Sequence, residues 1–168
     1  DKPARMDTHS YAFHVASQTQ LVKALELNNV TFVGQDWGGL IGLRVVAENE
    51  ALFARVAIAN TGLPVPGAAD LPEGAFANWK RMNQAMIDRG DMPVGQMVAG
   101  NVGDPDLVAA YDAPFPDPSY KAGPLIMPQY VPVTKDQAGV TENAAAWEVF
   151  KRWEKPFLTS FSDGDPIT

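Results

Sequence analysis

The sequence predicts an α/β protein in which a parallel sheet flanked by helices is interrupted by a helical insertion. Two short β-rich runs, residues 30–33 and 55–60, alternate with helical stretches, an order typical of parallel strands joined by crossover helices. Residues 63–137 are rich in proline and glycine and contain only short helical stretches. Strand character then returns at residues 157–161. We therefore expect the chain to leave the sheet after the second strand, form the helical insertion and then return to the sheet.

The N-terminal residues supply the first elements of this sheet. The partial apolar face of residues 10–27 predicts a helix, which the pair Asn28-Asn29 ends. Residues 30–33 are too short for a globular helix and suit a buried parallel strand. Residues 40–48 are nearly all apolar and predict a second helix. The strand at 55–60 follows, and we expect Phe32 and Ile58 to be buried on adjacent parallel strands.

The insertion is predicted to be helical and interrupted by stiff connections. Closely spaced prolines at residues 114–118 forbid a helix there. A longer helix is expected over residues 142–153. Shorter helices are expected at residues 76–89, 94–102 and 105–111. We therefore assign residues 1–61 and 154–168 to the sheet domain and residues 62–153 to a helical cap.

Composition excludes several classes of function. The net charge of −7 over 168 residues argues against a nucleic-acid binder, which would carry a basic surface. With no cysteine, disulfides and thiol nucleophiles are excluded. No apolar run approaches the length of a membrane span. The composition fits a cytoplasmic protein, and we expect a monomer. The chain has only two histidines, His9 and His14.

The segment Gly34-Gln35-Asp36-Trp37-Gly38-Gly39 lies between a predicted strand and a predicted helix. A nucleophile elbow is a strained turn of this kind, and it exposes one side chain above the sheet. Asp36 would lie at a helix N-terminus, where the helix dipole favours an ionised carboxylate. Such a carboxylate can displace a leaving group from saturated carbon and form an alkyl ester. The backbone N–H of Trp37 would be an oxyanion donor.

Two other interpretations of this segment remain open on spacing alone. It could be a glycine-rich turn with a solvated aspartate. A phosphate-binding loop would need a Lys-Ser/Thr pair or the G-x-G-x-x-G pattern, which the segment lacks, and Asp36 would repel phosphate.

The segment resembles the nucleophile elbow of haloalkane dehalogenases, a family of the α/β-hydrolase superfamily. The resemblance implies an α/β-hydrolase fold with an inserted helical cap, and it covers nearly the whole chain. It is carried by residues 33–43, 59–64, 76–80, 111–123 and 157–168.

The resemblance implies a role for four residues. Asp36 matches the nucleophile, and Trp37 and Trp79 match the tryptophans whose indole N–H groups hold the departing halide. Indole N–H is a donor only, which suits an anion. Asp165 matches the acid that orients a catalytic histidine; Asp163 is the alternative, but Asp165 has the usual spacing from Ser162. The implied substrates are a small halogenated alkane and water, the products alcohol and halide, with no metal and no organic cofactor.

The catalytic histidine of that family lies C-terminal to the acid, and no histidine follows His14 in this chain. Neither His9 nor His14 matches the base, and His14 is interpreted as a helix packing residue. We therefore expect the chain to be an internal piece of the enzyme, incomplete at both termini and inactive by itself. Trp147 and Trp153 are interpreted as packing residues.

Two alternative functions remain. An epoxide hydrolase shares the Asp-Trp-Gly elbow and would use cap tyrosines to protonate the epoxide, but Trp79 and Gln35 favour the dehalogenase. The tyrosines available for that role are Tyr111, Tyr120 and Tyr130. The second alternative is a non-catalytic hydrolase-like binding domain, which would also lack the histidine.

Overall fold

The structure is a computed structural model that describes residues 3–67 and 73–165, without the side chains of residues 73–77. The chain divides into two compact units, considered separately below. One unit consists of Asp1–Ser10 and Ala77–Tyr130, and the other of Tyr11–Phe76 and Val131–Thr168. The expected cap boundaries at residues 62 and 153 stay a prediction.

Seven α-helices and three β-strands are found in the described residues. In chain order they are α1 (Tyr11–Ala24), β1 (Val30–Gln35), α2 (Trp37–Glu48), β2 (Phe53–Ala59), α3 (Glu73–Arg89), α4 (Val94–Ala99), α5 (Pro105–Asp112), α6 (Ala122–Ile126), α7 (Val140–Phe150) and β3 (Phe157–Ser160). Single 3-10 turns lie at Met6–Thr8, Glu50–Leu52, Gly100–Val102, Pro118–Lys121 and Met127–Tyr130. No helix in this part of the chain is both long and apolar enough to cross a membrane.

The three strands form one parallel sheet in the order β1-β2-β3. Phe32 pairs with Val56, which in turn pairs with Phe157. The predicted parallel sheet is thus confirmed. β1 continues two residues beyond the predicted strand, because Gly34 and Gln35 still pair with β2.

One face of the sheet packs against α2. Val56 and Ile58 are buried there, while Phe32 is only half-buried. The expectation for Ile58 is confirmed, and that for Phe32 is met in part. The Phe32 ring occupies the space beside Gly42, where an added Cβ would lie 1.9 Å from the ring. Helix and sheet therefore approach closely because this α2 position carries no side chain.

The opposite face of the sheet carries an exposed apolar row. Val33, Ala57 and Leu158 lie side by side on the three strands. Val33 is 75% exposed and Leu158 is 61% exposed. This face therefore presents apolar side chains to water.

A buried polar network joins α1, α2 and α7. Arg44 donates to Glu48 Oε1 through Nε at 2.8 Å and Nη2 at 2.6 Å, and through Nη1 to Asn143 Oδ1 at 3.3 Å. Its guanidinium lies 5.5 Å from the Tyr11 ring centroid. The Tyr11 hydroxyl donates to the Leu40 carbonyl at 2.8 Å. The buried side chains of Tyr11, Arg44 and Asn143 each have a hydrogen-bond partner, as burial requires.

Helix α7 also binds the segment that follows β2. Asn143 Nδ2 donates to the Pro64 carbonyl at 2.9 Å, and Trp147 Nε1 donates to the Leu63 carbonyl at 2.8 Å. The Trp153 ring lies 5.8 Å from Phe150. Trp153 therefore packs against Phe150, whereas Trp147 is 45% exposed and is held by its hydrogen bond to the Leu63 carbonyl.

The unit containing α3 to α6 has its own apolar core. Met86, Met92 and Leu125 form its buried centre, and Trp79 packs against them. Fully buried Asn83 donates to the Leu125 carbonyl at 2.8 Å. The helices predicted here are present, whereas the five-residue helix α6 was not predicted.

Several predicted boundaries differ from the structure. Strand β2 lies at Phe53–Ala59 rather than at residues 55–60. Helix α1 ends at Ala24 rather than at residue 27, because Glu26 adopts a left-handed conformation with φ of 52°. Helix α2 begins at Trp37 instead of residue 40. Helix α7 lies at Val140–Phe150, two to three residues before its predicted position.

Candidate active site

Asp36 occupies the sharp turn between β1 and α2. Its φ is 50° and its ψ is −130°, a conformation that costs a residue with a side chain about 1–3 kcal/mol. The Asp36 N–H donates to the Asn60 carbonyl at 3.2 Å, and the Asp36 carbonyl accepts from the N–H groups of Gly39 and Leu40 at 2.9 and 3.1 Å. The strained geometry expected of the elbow is therefore present, held by the backbone on both sides.

Thr61 holds the turn from the adjoining strand end. Its Oγ1 donates to the Asp36 carbonyl at 2.7 Å, and the side chain is buried. A Cβ on Gly39 would lie 2.1 Å from the same Oγ1. The glycine at residue 39 is thus required for Thr61 to reach the backbone of the turn.

The Asp36 side chain is exposed and, within the described part of the chain, accepts no hydrogen bond. It lies at the N-terminus of α2, whose first N–H groups have no partner within the helix. An exposed carboxylate at a strand's carboxyl end is accessible to a substrate and has the chemistry of a nucleophile toward saturated carbon.

Trp37 is the first residue of α2 and is half-buried. Its ring meets that of Tyr11 edge to face, with centroids 5.5 Å apart and planes at 88°. Aromatic pairs in this geometry stabilise each other beyond their buried area. Tyr11 is itself held by its bond to Leu40. The orientation of Trp37 is thus tied to α1.

Asp165 lies in the turn after β3, half-buried, whereas Asp163 is exposed. Asp165 Oδ2 accepts from Asn60 Nδ2 at 2.8 Å. The Asn60 Oδ1 accepts from the Ser162 N–H at 3.3 Å. Of the two candidate acids, Asp165 is therefore the one joined to the end of β2 beside the Asp36 turn.

Sequence reasoning assigned no role to Asn60 or Thr61. Both residues could have been predicted as site candidates, because they are polar and directly follow a buried parallel strand. Functional sites of open α/β sheets form at the carboxyl ends of such strands. Asn60 also has a left-handed backbone, with φ of 37°.

The remaining candidates have other surroundings. In the unit with α3 to α6, Trp79 is half-buried against the methionine-rich core. Tyr111 and Tyr120 are 45% and 44% exposed. His9 is buried, with Nε2 at 3.1 Å from the Pro3 carbonyl. His14 lies on α1 beside Phe13, with ring centroids 5.2 Å apart. No cluster of three metal-ligating side chains is found in the described ranges.

A family model described as the α/β hydrolase fold matches residues 1–91. This match spans more than half of the chain and includes the Asp36 turn. The chain belongs to the α/β-hydrolase family. The fold class predicted from the elbow resemblance is thereby confirmed.

Curated relatives within the α/β hydrolases support the narrower resemblance. A haloalkane dehalogenase of Psychrobacter cryohalolentis is 46% identical over 171 residues, covering 100% of this chain and 55% of the relative. One of Mycobacterium marinum is 42% identical over 170 residues, covering 99% of this chain and 56% of the relative. The resemblance to haloalkane dehalogenases is confirmed, and this α/β hydrolase chain spans about half the length of these relatives.

A solved relative agrees with the α/β-hydrolase fold. The haloalkane dehalogenase DpaA from Paraglaciecola agarilytica, described as a tetramer, superimposes with a TM-score of 0.82 at 30% identity. The superposition covers 95% of this chain and 52% of that one.

Proposed function

We propose that this α/β hydrolase chain is the part of a haloalkane dehalogenase that carries the nucleophile. The reaction is hydrolysis of a carbon–halogen bond, giving an alcohol, a halide ion and a proton. The observation that carries the proposal is the exposed carboxylate of Asp36 on its strained turn between β1 and α2. Relatives 46% and 42% identical, both named haloalkane dehalogenase, support it.

The chemistry follows from a carboxylate in the elbow position. An Asp36 oxygen attacks the saturated carbon, a C–O bond forms, and the halide leaves with the electron pair of the C–X bond. The product is an alkyl ester on Asp36. Water then attacks the ester carbonyl, releases the alcohol and regenerates the carboxylate. The second step needs a base to activate the water.

Trp37 is proposed as a donor to the departing halide. Its indole N–H is donor only, and its ring is held against Tyr11. The resemblance supports the same role for Trp79. The packing of Trp79 against Met86, Met92 and Leu125 supports the alternative, a structural role.

The two roles of Trp79 predict different effects of Trp79→Phe. If Trp79 is a halide donor, Trp79→Phe should weaken bromide binding by about tenfold while stability changes little, because a phenyl ring still fills the core. If Trp79 is a packing residue, the same substitution should leave the bromide affinity unchanged. Bromide quenching of tryptophan fluorescence, compared with Trp147→Phe as the control, separates the two.

Asp165 is proposed as the acid that orients the catalytic base. Its half-buried position and its bond to Asn60 support it over exposed Asp163. His9 and His14 are poor bases for this role, because His9 is buried beside the Pro3 carbonyl and His14 packs beside Phe13. The resemblance implies a histidine beyond Asp165 in the family's chain order.

The test uses the protein expressed from its complete reading frame and a short bromoalkane. Asp36→Ala is expected to abolish halide release, because it removes the group that attacks carbon. Asp165→Asn is expected to slow steady-state turnover about 100-fold or more while one equivalent of halide is still released. The trapped ester on Asp36 is then visible by mass spectrometry as an added alkyl mass.

Asp163→Asn is the matched control, with the same change two residues away, and should behave as the wild type. A large loss in Asp163→Asn with none in Asp165→Asn would assign the acid to Asp163. Turnover of an epoxide, with no alkyl adduct from bromoalkanes, would contradict the dehalogenase and favour the epoxide hydrolase.

A further inference from the structure

The end of β2 joins the two carboxylates of the candidate site. The Asn60 carbonyl accepts from the Asp36 N–H at 3.2 Å, and the Asn60 side chain donates to Asp165 Oδ2 at 2.8 Å. One residue therefore contacts the backbone of the nucleophile turn and the side chain of the acid.

The conformation of Asn60 is unusual for a residue with a side chain. Its φ is 37°, in the left-handed region where asparagine is among the tolerated side chains. The strain is offset by three bonds, since Asn60 Oδ1 also accepts from the Ser162 N–H at 3.3 Å. The side chain thus bridges the first and last residues of the turn between Ser162 and Asp165.

The direction of the bond to Asp165 matters for chemistry. A bond from an amide N–H to a carboxylate oxygen is charge-assisted, and such bonds are stronger than those between neutral groups. A carboxylate has two oxygens and about four acceptor sites. A donor held on Oδ2 therefore restricts rotation of the group, and the chemistry of a carboxylate allows it to accept a further N–H such as that of a histidine ring.

We propose that Asn60 is a positioning residue that orients the Asp165 carboxylate and ties it to the Asp36 turn. This proposal rests on the proposed function, in which Asp165 orients the base for ester hydrolysis. The Asn60 side chain acts through Asp165 on the second step, and its removal leaves the bond between the Asn60 carbonyl and the Asp36 N–H in place for the attack on carbon.

Two substitutions separate the role of the Asn60 side chain from that of its backbone. Asn60→Gly keeps a residue that tolerates positive φ and removes the side chain. Asn60→Asp is isosteric and keeps the acceptor for the Ser162 N–H, but it replaces the N–H donor by an oxygen facing Asp165. Like charges at this distance repel, so Asn60→Asp should be the more damaging variant.

The experiment measures the halide burst and the steady-state rate separately, in the protein from its complete reading frame. Asn60→Gly is expected to lower the steady-state rate about tenfold or more, with an unchanged burst and accumulated alkyl ester on Asp36. In the Asp165→Asn background the same substitution should have almost no further effect, because residues acting through one another are not additive. An equal loss in both backgrounds, or a loss confined to the burst, would overturn the proposal.

A crystal structure of Asn60→Gly gives a readout that does not depend on activity. More than one orientation of the Asp165 carboxylate supports positioning, and a single unchanged orientation contradicts it. A wild-type protein that releases no halide would instead refute the proposed function, while the crystallographic result would still decide the role of Asn60.

Discussion

At the scale of single residues, the turn at Asp36 depends on positions without side chains. Gly39 leaves room for Thr61, and Gly42 leaves room for the Phe32 ring. Gly38 directly precedes Gly39 on the same helix, yet a Cβ there would meet no atom within 4 Å. The three glycines are therefore not equivalent, although they look alike in the sequence.

This difference predicts opposite effects of the same substitution. Gly42→Ala is expected to lower the free energy of unfolding by about 1–3 kcal/mol, because its Cβ would overlap the Phe32 ring and force α2 away from the sheet. Gly38→Ala should be neutral or stabilising by up to about 1 kcal/mol, since alanine favours helix and meets open space. Urea unfolding of both variants measures this, and equal destabilisation would contradict the packing described for Phe32.

The site was predicted in part from the residues alone. A strained turn at Asp36 follows from small residues between a strand and a helix, which are local in sequence. The link from Asn60 to Asp165 joins residues 105 positions apart, and no local pattern encodes which side chain of a turn points toward which strand end. The preference for Asp165 came from a spacing rule, while its bond to Asn60 required the folded chain.

At the scale of elements, α1 is held to α2 by Tyr11. Burial raises the pKa of the Tyr11 hydroxyl well above its ordinary value of 10.0, since a buried phenolate would lose its hydration. A group whose pKa is higher in the folded state keeps its proton there while the unfolded chain loses it. Its contribution to stability is thus fully present below about pH 10 and falls as the pH rises above that value.

Tyr11→Phe separates the two effects of this hydroxyl. At neutral pH the variant should be less stable by about 1 kcal/mol, because the bond to the Leu40 carbonyl is lost. Above about pH 10 the difference should shrink or reverse, because the variant has no buried phenol to ionise. Chemical unfolding at neutral and alkaline pH tests this, with exposed Tyr111→Phe as the control. A constant difference across this range would show that Tyr11 ionises freely.

Element types were predicted better than their ends. The strands are recognisable because β-branched and apolar residues cluster in runs too short for helices. The end of β1 was missed because Gly34 and Gln35 have weak strand preference and extend the strand through their pairing with β2. Helix α6, with five residues including Pro124, is too short to produce a periodic pattern.

At the scale of the whole molecule, the sheet has two unlike faces. One packs on α2, and the other carries the apolar row of Val33, Ala57 and Leu158. Apolar surface in water favours association and dye binding. The exposed fractions of Val33 and Leu158 predict that the isolated 168-residue chain binds a hydrophobic dye on this face.

Val33→Lys tests this prediction on the isolated chain. Since Val33 is 75% exposed, the substitution should change the free energy of unfolding by no more than about 0.5 kcal/mol. It should reduce binding of anilinonaphthalene sulfonate and light scattering, because a charge interrupts the apolar row. Thr31→Lys, which adds the same charge beside the row, is the control. A loss of stability well above that bound would mean that Val33 is covered in solution.

The bonds from α7 to Leu63 and Pro64 bear on how such a chain can diversify. Residues 64 and 143 are about eighty positions apart in sequence, yet Asn143 bonds the Pro64 carbonyl at 2.9 Å. A segment whose two ends meet in this way is closed at its base, so lengthening it adds only a slowly growing entropic cost. Changes of length between residues 64 and 143 are therefore expected to cost little free energy, as long as the bond between Asn143 and the Pro64 carbonyl is kept.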